Sequence, residues 1–182
     1  MVTLATVGQT LPALRRLSLL APRDPRVGPQ GLPVNKSAVA AGVGRVDPAY
    51  RLVVEGPHRT VLLSLADLAA LPQHTVSLPI TCVEGWSADA VWSGVRMRDL
   101  VAAVDGGPGD PVVVESLEPK GRYRTSVLDP SHAQDPLTLL ALRLHGEPLH
   151  LDHGYPCRLI APNRPGVLQT KWVGRLTVGG AP

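Results

Sequence analysis

The sequence predicts an α+β fold in a single domain, with mixed β-sheets and short helices. Pro and Gly account for 19 and 18 of the 182 residues, a composition that favours many turns over a helical bundle. The apolar segments fall into hairpins and isolated helices, whereas a doubly wound fold alternates strand and helix regularly. Hydrophobic residues make up 44% and charged residues 18%, which suits a packed core and not a disordered chain.

The first residues differ in composition from the remainder. Pro22, Pro25, Pro29 and Pro33 are closely spaced, and prolines at this density favour extended backbone. We therefore expect a Pro/Arg-rich arm or linker over residues 1–33 and a globular domain over residues 34–182. The apolar stretch at residues 17–21 is too short for the core of a signal peptide, so we expect no export signal there and leave the compartment open.

Strands are predicted where segments rich in β-branched and apolar residues are bounded by turn residues. The first two should form a hairpin around Gly56-Pro57. The third should end at Cys82, and functional loops often begin where a strand ends. The predicted strands are residues 50–55, 60–63, 76–82, 112–115, 123–127, 157–160 and 171–178.

Helices are predicted from capping residues and from apolar residues at helical spacing. Ser64 and Asp67 have the spacing of a capping box. Asp135 is the expected cap of the last helix, with Pro136 at its first position. Leu137, Leu140, Ala141 and Leu144 would form the apolar stripe of that helix. The predicted helices run from the cap Ser64 through Ala70, from Val95 to Val104, and from Pro136 to the residue before Gly146, and residues 83–94 are expected to form a loop.

Cys82 is the first candidate for chemistry. A thiolate is a soft ligand, whereas a structural zinc site needs four protein ligands, and no second Cys or His lies nearby in the sequence. From this residue alone, a buried inert thiol is the plainer interpretation. Gly85 and Trp86, followed by Trp92 and Gly94, favour instead a backbone that comes close to a bulky flat ligand.

A second cluster combines positive charge with short turns. His153, Arg158 and Lys171 surround one predicted strand, and residues 165–167 could offer backbone N–H groups to an anion. Arg binds phosphate through two parallel hydrogen bonds and Lys adds a point charge, so the cluster predicts a phosphate-binding site. Solvated surface charge is the alternative. Asn35 is a further candidate, with a helix cap before residues 38–42 as its competing interpretation.

Residues 82–86, 92–94, 152–158 and 171–172, in this order, resemble the molybdopterin-binding domain of sulfite oxidases and of periplasmic methionine-sulfoxide reductase catalytic subunits. The resemblance extends from about Leu32 to Val178 and implies the sulfite-oxidase-type fold. It implies that Cys82 ligates molybdenum at the catalytic centre. The cofactor contacts that it implies are Asn35, Ser116, His153, Arg158, Gln169, Thr170 and Lys171.

Two positions depart from the sulfite oxidase pattern. Leu142 stands where those enzymes place a Tyr over the metal, and Val34 stands where they carry an Arg. A hydroxyl and a guanidinium would hold an anionic substrate, so their replacement by apolar side chains argues against sulfite itself. The substrate class is left open among S-oxides, N-oxides and sulfite-like anions.

The resemblance implies a molybdopterin-dependent oxidoreductase that transfers an oxygen atom with two electrons to or from a small-molecule substrate. The sequence holds no Cys-x-x-Cys-His haem motif and no Rossmann glycine pattern, so we expect a separate redox partner such as a cytochrome or a membrane subunit. Two alternatives stay open: a non-catalytic cofactor-binding module, and a hydrolase in which His153 or His132 activates Cys82. With a net charge of +3 and no Lys/Arg-rich tract, nucleic-acid binding is not expected.

Overall fold

The computed structural model describes residues 28–81 and 87–180. Within these ranges ten strands form two five-stranded sheets. The strands are β1 (Leu52–Glu55), β2 (Thr60–Leu63), β3 (His74–Thr81), β4 (Ser87–Arg96), β5 (Val112–Ser116), β6 (Thr125–Leu128), β7 (Leu139–Leu144), β8 (Glu147–Pro148), β9 (Arg158–Ile160) and β10 (Val173–Val178). The described part of the chain contains no helix that is both long and apolar enough to span a bilayer.

The first sheet has the strand order β2-β1-β10-β5-β6. β1 and β10 pair in parallel, while the other neighbours are antiparallel. The second sheet has the order β3-β4-β7-β8, and β9 also pairs with β7; all of these pairs are antiparallel. The expectation of mixed sheets is confirmed, and the parallel pair joins the first and last strands of the described chain.

Four short α-helices connect the strands of the described chain: α1 (Ala38–Ala41), α2 (Leu65–Ala70), α3 (Met97–Ala102) and α4 (Pro130–Gln134). The capping box before α2 forms as predicted, since Ser64 Oγ accepts from the Asp67 amide and the Asp67 carboxylate accepts from the Ser64 amide. The sequence analysis missed α4, which Asp129 caps. Single 3₁₀ turns occur at Pro29–Gly31, Leu151–His153 and Gly166–Leu168.

The helix predicted from Pro136 to the residue before Gly146 is wrong, because this segment contains strand β7. Along β7, Leu139 and Ala141 pack into an apolar cluster with Ile80 and Trp92. Leu140 packs into the main core, which draws on both sheets, and Leu142 packs against that core. Side chains that alternate between two buried faces have the period of a strand. Because both faces of β7 are apolar, its sequence does not alternate between polar and apolar residues. That alternation is the pattern by which a half-buried strand is predicted.

The loop expected at residues 83–94 is wrong from Ser87 onward, where β4 begins. β4 pairs along its length with β3 and continues to Arg96, so α3 begins at Met97 and not at Val95. Gly94 allows β4 to pair closely with β7 on its other side. A Cβ atom at Gly94 would lie 2.1 Å from the Leu140 carbonyl oxygen, at an irregularity in the β4–β7 register. The glycine therefore admits a neighbouring strand, and not a ligand as expected.

The position of β7 at the centre of the second sheet leads to a stability prediction. Leu140 is fully buried, whereas Leu137 just before the strand is 42% exposed. Leu140→Ala should lower the free energy of unfolding by about 2–5 kcal/mol, because it removes apolar contacts and leaves a cavity. Leu137→Ala, the matched control, should change it by less than about 0.5 kcal/mol. Urea denaturation followed by circular dichroism measures both; equal effects would contradict the strand's two-faced burial.

Candidate functional site

A small cleft, partly open to solvent, lies where four segments of the chain meet. The segments are the stretch before α1, the end of β3, the region from the 3₁₀ turn at Leu151–His153 to β9, and the connection from Gly166 towards β10. The described residues that line it are Leu32, Pro33, Val34, Asn35, Ile80, His153, Arg158, Gly166 and Lys171. Four of the residues proposed from the sequence therefore come together here.

Strand β3 ends at this cleft. Ile80 lines it, and Gly166 packs so closely on Thr81 that a Cβ atom at Gly166 would lie 3.1 Å from the Thr81 carbonyl oxygen. Cys82 is the next residue in the sequence. Cys82, and with it Gly85 and Trp86, lies outside the described residues, so the structure leaves its predicted role as molybdenum ligand untested.

Arg158 is a buried cation at the floor of the cleft. It begins β9 and shares its strand face with Ile160, so its side chain enters the protein on the same side as Trp92. Its guanidinium carbon lies 5.0 Å from the centre of the Trp92 ring. Nη1 donates to the His153 carbonyl at 3.1 Å and Nη2 to the Gln169 carbonyl at 3.4 Å. Burial lowers the pKa of Arg158 to about 9.

Lys171 is the second buried cation. Its Nζ donates to the main-chain carbonyls of Lys36 and Asp152, the latter at 2.9 Å, and lies 4.5 Å from the centre of the Trp172 ring. Burial, together with the positive charge of Arg158, lowers the pKa of Lys171 to about 7. Both of these hydrogen bonds go to neutral carbonyls. An anion bound near Nζ would raise the pKa of Lys171 and so favour its charged form.

Gly154 allows the two cations to approach each other. Its φ of 109° lies in the region that glycine favours, and a Cβ atom there would lie 3.0 Å from the Cβ of Arg158 and 3.1 Å from that of Lys171. A larger residue would push the two side chains apart. The turn between His153 and β9 therefore sets the spacing of the positive charge.

His153 contributes a neutral ring. It is 3% exposed, and burial is the main cause that lowers its pKa to about 4. Nε2 lies 2.7 Å from the Pro29 carbonyl, which only accepts, so Nε2 carries the proton and Nδ1 is left as an acceptor. A histidine of such low basicity is a poor general base for the alternative hydrolase. His132 lies on α4, where its Nδ1 lies 2.6 Å from Asp129.

Asn35 lines the cleft beside Val34 and Leu32. Its competing interpretation as a helix cap is wrong, because Ser37 caps α1 by accepting from the Ala40 amide at 3.2 Å. The Asn35 side-chain oxygen accepts instead from the Lys36 amide at 2.9 Å. Leu32, placed by the sequence analysis in the arm, is 3% exposed and packs into the apolar cluster beneath the cleft.

The other three proposed contact residues lie behind the described lining of the cleft. Ser116 Oγ donates to the Lys171 carbonyl at 2.8 Å. The Gln169 carbonyl accepts from Arg158, and the Thr170 hydroxyl lies 2.7 Å from that of Ser126. All three are at most 6% exposed. In this arrangement they support the cations, and their predicted contacts to a cofactor stay predictions.

The residues of the cleft fit a phosphorylated, hydrogen-bonding group. Arg158 belongs to the lining of the cleft, and its Nε is buried and has no partner in the described structure, which is costly unless a ligand supplies one. No carboxylate of the described residues is hydrogen-bonded to either of the two buried cations, so an anion would offset their desolvation. Among the described residues, no group of three or more His, Cys, Asp or Glu side chains could hold a metal ion.

Trp92 and Trp172 support the site in ways that the sequence analysis did not resolve. Both rings are fully buried, and each lies against one cation of the cleft. Trp92 Nε1 donates to the Leu78 carbonyl at 3.2 Å, and Trp172 Nε1 to the Leu151 carbonyl at 2.6 Å. The sequence held one signal for such a cation–ring contact: Trp172 directly follows Lys171, and a cation can stack on the ring of the next residue.

Comparison with known proteins identifies the family. The sequence model of the family described as "Oxidoreductase molybdopterin binding domain" matches residues 40–182. The chain belongs to this oxidoreductase family, which confirms the predicted sulfite-oxidase-like assignment, the α+β fold and the class of cofactor, molybdopterin with its molybdenum.

The relatives include sulfite oxidases and nitrate reductases. Mitochondrial sulfite oxidases match with 32% identity: that of Drosophila melanogaster over 71% of this chain and 27% of its own length, and that of Mus musculus over 75% and 30%. The NADH nitrate reductase of Ulva prolifera is 29% identical over 71% of this chain and 19% of its length. This chain thus spans less than a third of these proteins.

A solved structure shares the fold. The sulfane dehydrogenase SoxCD of Paracoccus pantotrophus superposes with a TM-score of 0.66 and 23% identity. The match covers 75% of this chain and 39% of that protein. At this level of identity the likeness supports the two-sheet architecture, and the chemistry of the site has to be argued from its own residues.

The lowered pKa of Lys171 leads to a prediction about anion binding by the cofactor-free chain. Sulfate keeps its charge near neutrality, and it should bind about tenfold more weakly at pH 8 than at pH 6, because Lys171 loses its proton near pH 7. His153 and Arg158 titrate outside this interval, near 4 and 9. Isothermal titration calorimetry measures the affinity.

The matched variants for this measurement are Lys171→Met and Lys120→Met. The first should bind sulfate weakly and without the pH dependence, because the titrating cation is gone. Lys120 is exposed and lies outside the lining of the cleft, so its removal should leave both affinity and pH profile unchanged. A pH profile in Lys171→Met equal to that of the wild type would contradict the assignment.

Proposed function

We propose that this domain binds molybdopterin in the cleft, with the Cys82 thiolate as the protein ligand of molybdenum, and that it serves two-electron oxygen-atom transfer to or from a small substrate. The observation that carries the proposal is the end of β3 at the cleft. Ile80 lines the cleft together with Arg158 and Lys171, Thr81 packs against the lining residue Gly166, and Cys82 follows Thr81 directly in the chain.

The cationic end of the cleft would hold the phosphate. Arg158 can donate through its free Nε–H, and Lys171 adds charge from the opposite side of Gly154. His153 Nδ1 would accept a hydrogen bond from an N–H group of the pterin, and Asn35 could bond to another polar edge. Trp92 and Trp172 would hold the two cations in place through the contacts of their ring faces.

When bound, the cofactor supplies a molybdenum centre that accepts or releases two electrons as an oxygen atom is transferred. The part of the protein is to bind, orient and charge-balance this group. A thiolate ligand requires Cys82 to be deprotonated, and a neighbourhood of buried positive charge favours the thiolate. Arg158 and Lys171 supply such a neighbourhood at the end of β3.

The apolar part of the lining bears on the substrate. Leu32, Pro33 and Val34 form one wall of the cleft with Ile80, and Val34 is the position at which the resemblance expects an Arg. Leu142, at the expected Tyr position, packs against the main core. We therefore propose a small neutral S-oxide or N-oxide as substrate in preference to sulfite, because an anion would lack these two polar contacts.

Electron transfer would need a separate redox partner, such as a cytochrome or a membrane subunit, since the chain has no second cofactor motif. Residues 1–33 would form an arm that precedes the domain of residues 34–182. The described end of this arm packs against the site, where the Pro29 carbonyl accepts from His153. These features support the proposal that the domain is an oxidoreductase that acts on a small molecule and does not bind nucleic acid.

Cys82→Ser tests the metal ligand, with Cys157→Ser as the matched control. Both variants are produced in a host that makes molybdopterin. Cys82→Ser should remove one sulfur from the molybdenum coordination in X-ray absorption spectra and lower turnover of S-oxides or N-oxides by about 10–100-fold or more. Cys157 is buried and unpaired to any cysteine, and burial raises the pKa of its thiol to about 12, so its variant should keep metal and activity.

An unchanged sulfur count in Cys82→Ser would show that another group ligates the metal. Wild-type chain that acquires neither molybdenum nor pterin in the same host would overturn the proposed function altogether. Metal analysis, pterin fluorescence and an activity screen with S-oxides, N-oxides and sulfite, using an artificial electron donor or acceptor, distinguish these results.

A further inference from the structure

A closed circuit of hydrogen bonds ties three distant segments together behind the cleft. Lys171 Nζ donates to the Lys36 carbonyl, and Lys36 Nζ forms a 2.5 Å ion pair with the Glu118 carboxylate. The Glu118 amide donates to Ser116 Oγ at 3.1 Å, and Ser116 Oγ donates to the Lys171 carbonyl at 2.8 Å. The path thus returns to the residue from which it started.

The ion pair in this circuit is enclosed on the carboxylate side. The Glu118 side chain is 9% exposed, while that of Lys36 is 40% exposed. Gly121, with a φ of +152°, lies over the pair: a Cβ atom there would be 2.7 Å from the Glu118 carboxylate oxygen and 3.4 Å from Lys36 Nζ. A shielded carboxylate that has one cation as partner is a stronger constraint than an exposed ion pair.

Lys36 is held at three points: its side chain, its carbonyl and its amide. The side chain is held by Glu118, the carbonyl by Lys171, and the amide by the Asn35 side-chain oxygen. Asn35 and Lys171 both line the cleft, while Glu118 and Lys36 are outside its described lining. Lys36 and Glu118, which lie outside the described lining of the cleft, therefore hold two residues that belong to it.

We propose that the Lys36–Glu118 ion pair is a positioning element that aims Lys171 at the phosphate of the cofactor and Asn35 at its pterin. This inference rests on the proposed function, since it takes the cleft as the phosphate-binding site. Glu118 acts through Lys36 and is not itself a contact of the ligand. Outer residues that orient a binding group commonly change affinity by about 10–100-fold when removed.

The charges of the pair also act on Lys171 with opposite signs. The negative charge of Glu118 raises the pKa of Lys171, and the positive charge of Lys36 lowers it. The other groups that face Lys171 are Arg158, which lowers its pKa, and Asp152, which raises it; burial remains the largest cause. Removing either Lys36 or Glu118 should loosen the side chain of Lys171. Only the loss of Glu118 should lower the pH at which Lys171 titrates.

The test is sulfate binding by the cofactor-free full chain, measured by calorimetry from about pH 5 to about pH 9. Glu118→Gln and Lys36→Met should each weaken binding about tenfold at low pH, where Lys171 is charged. The pH midpoint should fall in Glu118→Gln and should not fall in Lys36→Met. The matched control is Glu115→Gln, which removes a 3.6 Å ion pair with Arg124 on the neighbouring stretch of the same hairpin and should leave affinity and midpoint unchanged.

A double variant and a conservative variant make the result decisive. Lys36→Met with Glu118→Gln should be no weaker than the weaker single variant, because the two side chains act as one unit. Glu118→Asp keeps the charge but shortens the reach, so affinity should fall while the midpoint stays near that of the wild type. Circular dichroism checks the fold, and Glu118→Asp decides the question if Glu118→Gln does not fold.

Sulfate affinity in Glu118→Gln within about twofold of the wild type, or an equal loss in the Glu115→Gln control, would overturn the proposal. The sulfate measurement does not depend on molybdenum. If the wild-type chain binds sulfate as expected but takes up no pterin in a producing host, the proposed function fails while the positioning role stands. If pterin is taken up equally by wild type and Glu118→Gln, the positioning role fails while the proposed function stands.

Discussion

The burial of two positive charges whose hydrogen bonds, within the described part of the chain, go to main-chain carbonyls and not to a carboxylate is the constraint on which the site depends. Arg158 and Lys171 are held by main-chain carbonyls and by the faces of Trp92 and Trp172. Desolvation lowers the pKa of both groups, so the cleft by itself is an unfavourable place for charge. An anion with several oxygens would relieve this cost, which supports the proposal that the cleft binds the phosphate of a pterin cofactor.

The two sheets turn this local constraint into a rigid site. β9 carries Arg158 between the main core and the apolar cluster that contains Trp92, since alternate residues of a strand face opposite sides. The connection from β9 to β10 then returns Lys171 to the same place, and β3 reaches the cleft from the other side. The core thus fixes Arg158 before any ligand binds, while the Lys36–Glu118 pair holds Lys171 through main-chain atoms.

How much of the site could be predicted depended on the kind of signal. His153, Arg158 and Lys171 were proposed from their charge and spacing and then supported by the family resemblance, Asn35 was assigned through that resemblance, and the four share one cleft. Ser116, Gln169 and Thr170 came from the same resemblance, yet they lie behind the lining. Glu118 was not proposed at all, because its importance arises from a contact with Lys36, 82 positions away, which no local pattern reveals.

The sequence by itself determined the elements whose causes are local: the capping box at Ser64 and Asp67, the hairpin of β1 and β2, and the cationic cluster around β9. Only the tertiary structure decided that residues 139–144 form a strand, since Leu140, Ala141 and Leu144 also satisfy helical spacing. The choice came from pairing with β4 and β9, which buries both faces of the segment. Long-range pairing of this kind overrides local propensity because it adds hydrogen bonds and apolar contacts that an isolated segment cannot make.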